Sequence, residues 1–124
     1  MKYMILIYGN PELRKMFMQI PKDQRAAGLA VYDRIREDLK ASGEYIVSEA
    51  LAEPSTGRQV TVREGKTLAS DGPYAEAKEF LAGFFLVECD SMERAVEHAG
   101  RLPEAAFGAV EVRPVMELSG FLDL

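Results

Sequence analysis

A chain of 124 residues and 13.8 kDa, 48% hydrophobic, is long enough to bury one core without disulfides or structural metals, and it reads as a single domain over residues 1–124. Its net charge of −5, with basic residues scattered rather than gathered on one face, excludes the electrostatic footprint of a nucleic-acid or anionic-membrane binder. One cysteine, Cys89, and one histidine, His98, give neither a disulfide nor a metal-ligand spacing, so no cofactor or metal is expected and a reducing cytoplasm is the location that fits.

The chain opens on MKYMILIYG, an apolar run too short for a signal-peptide core and cut off by Gly9, Asn10 and Pro11. No stretch approaches the roughly 20 apolar residues of a membrane span. Tyr3 to Tyr8 is the first strand. Leu13, Met16, Phe17 and Ile20 recur at helical spacing and predict one or two turns laid on the core. A long helix follows from Pro21 to its cap at Gly43, with Gly28, Val31, Tyr32, Ile35 and Leu39 on its inner face. Glu44 to Leu51 is the second strand. Beyond Pro54-Ser55-Thr56-Gly57, Val60 to Arg63 faces Lys66 to Ser70 across Glu64-Gly65 as a hairpin that extends the sheet.

Phe80 to Glu88 is the next strand, and Asp90 with Glu93 forms a capping box for a helix whose inner stripe is Met92, Ala95, Val96, Ala99 and Leu102, stopped by Pro103. Val110 and Val112 alternate with Glu111 and Arg113 in a last strand that Pro114 assigns to an edge. Methionines 4, 16, 18, 92 and 116 read as core filler. The order strand, helix, strand, hairpin, strand, helix, strand is that of an α+β ferredoxin-like sandwich with an inserted hairpin. A sheet covered by helices on one face should alternate, yet YMILIY and FLAGFFLV are apolar on both faces, which leaves Tyr3, Ile5, Ile7 and their like to be covered by a second copy of the chain. A homodimer with the two sheets face to face is the expected assembly.

The segment DGPYAEAKE, residues 71–79, is a turn by composition that crowds a phenol, carboxylates and an ammonium ahead of the most apolar run. Asp71 and Lys78 are candidate catalytic residues, a proton acceptor and a partner for a developing oxyanion; Tyr74 and Glu76, with Arg113 on the last strand, are candidate substrate-binding residues for a small anionic or carbonyl-bearing molecule. The same residues make an equally good solvated salt-bridge cluster. His98 lies beside the buried stripe, at the border with Arg94 and Arg101, and reads as a boundary residue. Cys89 reads as a small packed residue.

DGPYAEAKE resembles the DGPFAETKE signature of the YCII-related family, in its DGPF subgroup, and the resemblance extends through MKYMILIYG, GFFLVE and EVRPVMEL. Tyr74 stands where the signature has Phe, and Ala77 where it has Thr. The resemblance implies a dimeric α/β-barrel, and a small cofactorless enzyme of lyase or isomerase type acting on a carbonyl or lactone acid. Some members of that family carry a His-Asp pair in the cleft; Asp71 matches the motif aspartate, but the early helix here has no histidine. The alternative that the resemblance implies is a ligand-binding or regulatory module without turnover, tied to sigma-factor-controlled stress responses.

Overall fold

The computed structural model describes residues 1–71 and 78–124. Its elements are β1 (Lys2–Gly9), α1 (Pro11–Gln19), α2 (Lys22–Ser42), β2 (Tyr45–Ala50), β3 (Arg58–Arg63), β4 (Lys66–Asp71), β5 (Phe80–Glu88), α3 (Met92–Ala99) and β6 (Val110–Pro114). Strands order as β2-β5-β1-β6, with every neighbouring pair antiparallel, and the two apolar strands β1 and β5 lie at the centre. This is the α+β ferredoxin-like sandwich, and β6, which ends at Pro114, is an edge as proline requires.

One face of the sheet makes the core. Tyr3, Ile5 and Ile7 of β1 and Phe85 and Val87 of β5 pack against Ile35 and Leu39 of α2 and Ala95 and Ala99 of α3. Strand periodicity therefore turns Met4, Leu6 and Tyr8, with Phe84 and Leu86, to the opposite face, where they are half-buried. The sequence pattern placed the uncovered set one residue out of register: Tyr3, Ile5 and Ile7 belong to the core, and the residues on the open face are Met4, Leu6 and Tyr8. Gly83 fits a close approach, since a Cβ there would stand 2.8 Å from the Glu49 carbonyl oxygen of β2.

Several local expectations change. The hairpin β3–β4 forms its own two-stranded sheet instead of extending the larger one. Its turn has Glu64 at φ 51° and Gly65 at φ 76°, two positive values in succession that suit a two-residue hairpin loop. Helix α1 buries no residue, because Met16, Phe17, Met18 and Ile20 face outward. What holds it is Arg14, 2.7 Å from Glu53 and stacked over the Phe80 ring. Gly28 is exposed, so the inner stripe of α2 begins only at Val31, where the helix first meets the sheet. Ser91, not Asp90, caps α3: its Oγ accepts from the Arg94 N–H at 3.1 Å. Met92, Ala95, Ala99 and Leu102 face the core as expected, but Val96 is exposed and His98 is buried in its place. The helix ends at Ala99, ahead of Pro103, and Met116 is exposed on the C-terminal segment.

Candidate functional site

The open face of the four-stranded sheet is apolar at its centre and polar along its β6 edge. Register puts Glu111 of β6 beside Leu6 and Arg113 beside Met4, so both charged side chains share the face that Met4, Leu6 and Tyr8 line. The Tyr8 hydroxyl donates to Glu111 Oε1 at 3.1 Å. This bond to a carboxylate, together with burial and the Glu79 charge, raises the phenol above its ordinary value; Arg113 pulls the other way. Glu79, the last residue of the DGPYAEAKE segment, thus lies within electrostatic reach of Tyr8, as does Arg113. A donor, an acceptor and a cation spread along one edge of an apolar face can hold a small carboxylate or carbonyl and orient it.

Among the described residues, Arg113 is the candidate from the sequence that lies on this face, beside Met4 and within electrostatic reach of Tyr8. Asp71 ends β4 at the base of the hairpin, its side chain 91% exposed and 3.6 Å from Arg58. Lys78 is exposed, and among the described residues nothing brings it to Asp71. Tyr74 and Glu76, with Gly72 and Pro73, lie outside the described residues. Tyr8 and Glu111 escaped sequence reasoning because they look like ordinary members of strands; the only signal was that each sits at an outward position of a strand beside a charged or aromatic neighbour.

A second polar cluster lies on the helix side. Glu44 accepts from Arg94 Nε at 3.1 Å and Nη2 at 3.0 Å and from Ser42 Oγ at 2.7 Å. Nε2 of His98, a residue 6% exposed, stands 3.0 Å from the same carboxylate but off the line of a hydrogen bond. The Arg94 fork is the main reason that Glu44 is held down to about 2, His98 and Ser42 adding to it and burial opposing. An open depression of about 380 Å³ beside it is lined by Glu44, Glu88, Cys89, Asp90 and Arg94. Its one guanidinium is already engaged by Glu44 and Glu97, and burial raises the Cys89 thiol. The cluster therefore joins the start of β2 to α3 rather than offering free groups to a ligand. Among the described residues no group of three or more potential ligands could hold a metal, and no helix is long and apolar enough to cross a membrane.

Comparison with known proteins agrees with the fold. An uncharacterized protein of Rhizobium meliloti (strain 1021) is 36% identical over 92 residues, which are 67% of this chain and 74% of that protein. The model of the YCII-related domain matches residues 1–119, from the first strand to the C-terminal segment. The chain belongs to the YCII-related domain family.

Proposed function

We propose that the chain works as a cytoplasmic homodimer whose open sheet faces meet, and that a small carboxylate- or carbonyl-bearing molecule binds along the β6 edge of that face, between Arg113 and the Tyr8–Glu111 pair. The observation that carries this reading is the exposed Tyr8–Glu111 hydrogen bond on the open sheet face, along the β6 edge that also carries Arg113, with Arg113 and Glu79 within electrostatic reach of Tyr8. Arg113 would hold the anionic end of the ligand and Tyr8 would donate to its oxygen. Asp71 serves as proton acceptor and Lys78 steadies the oxyanion, with Tyr74 and Glu76 shaping the pocket, in a cofactorless proton transfer of lyase or isomerase type. A second reading, a binding module without turnover, is favoured by one fact: in the single chain Asp71 is wet and paired with Arg58.

The test uses calorimetry and product assays over a panel of small lactones and 2-oxo acids. Arg113→Ala is expected to weaken binding of any retained compound about tenfold, the loss of one charge-assisted contact worth about 1.4 kcal/mol. Asp71→Asn is expected to abolish turnover and leave affinity within about threefold. Compounds that bind the wild-type protein without being turned over select the binding module; turnover that survives in Asp71→Asn overturns Asp71 as the proton acceptor, and unchanged affinity in Arg113→Ala overturns the site itself.

A further inference from the structure

Helix α1 is carefully started yet adds nothing to the core. Asn10 caps it by accepting from the Leu13 N–H at 2.8 Å, and Pro11 opens it with its φ already set, but none of its nine residues is buried. A helix this short is marginal in water without a contact elsewhere. Its contact is the Arg14 guanidinium.

Arg14 grips two places that are far apart in sequence. Its Nη1 stands 2.7 Å from Glu53 Oε1, and its guanidinium carbon is 5.6 Å from the centre of the Phe80 ring. These are the two ends of one excursion: after Glu53 the chain runs through the β3–β4 hairpin and the DGPYAEAKE segment, and it returns to the sheet at Phe80, the first residue of β5. Glu53 is fixed in turn, since the Thr56 N–H and hydroxyl both donate to its carbonyl, at 2.9 and 2.6 Å.

Phe80 is also seated on β1. It pairs with Gly9, where a Cβ would stand 3.0 Å from two carbons of the ring, so the ring takes the space that a side chain at position 9 would need. The same register pairs Tyr8 with Leu81. Glu79, two residues before Leu81, is therefore at the diagonal position to Tyr8, a separation of roughly 7–8 Å that long side chains bridge. Its charge does bear on the phenol.

We propose that Arg14 is a positioning residue: by holding Glu53 and Phe80 where the chain leaves and rejoins the sheet, it places Glu79 at the Tyr8 end of the ligand strip. The inference rests for its meaning on the site proposed above and adds two residues to it, Glu79 beside the phenol and Arg14 acting through Glu79 alone.

The experiment follows the Tyr8 phenol itself and needs no ligand. NMR of ring-labelled tyrosine gives its titration midpoint in wild type, Glu79→Gln, Arg14→Gln and the double variant, with circular dichroism checking the fold across the alkaline range. Glu79→Gln should lower the midpoint, because a carboxylate that opposes the phenolate is gone. Arg14→Gln should lower it too, by the larger part of that fall, and should add nothing in the double variant. The sign discriminates: losing a cation while Glu79 stays in place would raise the midpoint or leave it unchanged. Glu53→Gln, which spares Arg14 and its stacking on Phe80, should give a smaller fall and serves if Arg14→Gln fails to fold. A midpoint that stays or rises in these variants, or effects that add in full in the double variant, refutes the positioning role. A midpoint unmoved by Glu79→Gln refutes the placement of Glu79. The two readings fail separately, since unchanged affinity in Arg113→Ala overturns the site whatever Tyr8 does.

Discussion

Leu6→Lys is expected to give a folded monomer. Leu6 lies at the middle of β1, between Phe84 of β5 and Glu111 of β6, and its side chain is on the face away from the helices. In one chain a lysine there reaches water and has Glu111 beside it, so the cost to stability should stay near 1 kcal/mol. Between two apolar sheet faces the same ammonium is desolvated, and a penalty of about 3 kcal/mol or more raises the dimer dissociation constant by roughly a hundredfold. Ile5→Lys, one position away but 1% exposed among the helix-facing residues, should unfold the chain instead. Sedimentation velocity with circular dichroism separates the two results: a folded monomer for Leu6→Lys, an unfolded chain for Ile5→Lys. Identical behaviour of the two variants would contradict the assignment of faces.

Glu44→Gln should lower stability by about 2 kcal/mol at neutral pH, and the difference from wild type should vanish in acid. The carboxylate is ordinarily near 4.5 and is held to about 2 in the folded chain by Arg94 first, then His98 and Ser42. A depressed folded value means that the stabilisation is whole above pH 4.5 and is lost as pH falls from there toward 2. The full shift would convert to about 3 kcal/mol, reduced here because the side chain is 13% exposed at the rim of a depression. Urea melts at pH 7 and at pH 2.5 measure it. A deficit in the variant that is the same at both values would show that Glu44 acts through packing and not through its charge.

Element order, the central position of the two doubly apolar strands and the edge at Pro114 were all legible, because period and proline chemistry are local properties of the chain. Which face of β1 is buried was not, since a strand apolar on both sides carries no alternation to read; only the packing of Ile35 and Leu39 against Ile5 decides it. The cap of α3 is Ser91 and not Asp90, two residues equally able to accept a hydrogen bond, and His98 rather than Val96 is in the interior, a choice between two neighbours of the stripe that polarity alone does not read. Arg113 was found as an outward charge on an alternating strand. Its neighbours Tyr8 and Glu111 are 103 residues apart, and the Glu44–Arg94 fork spans 50, distances at which spacing says nothing. The hairpin was foreseen as a hairpin, yet its separation from the sheet depends on where the chain leaves β2, which no local pattern records.

Everything proposed for the site depends on the open sheet face being covered by a second copy. Static light scattering of the wild-type protein at about 10 micromolar tests that most directly, since an interface of standard size holds together in that range. The account predicts twice the chain mass of 13.8 kDa, unchanged in moderate salt because the buried centre of Met4, Leu6, Phe84 and Leu86 is apolar. A single species of 13.8 kDa would contradict it.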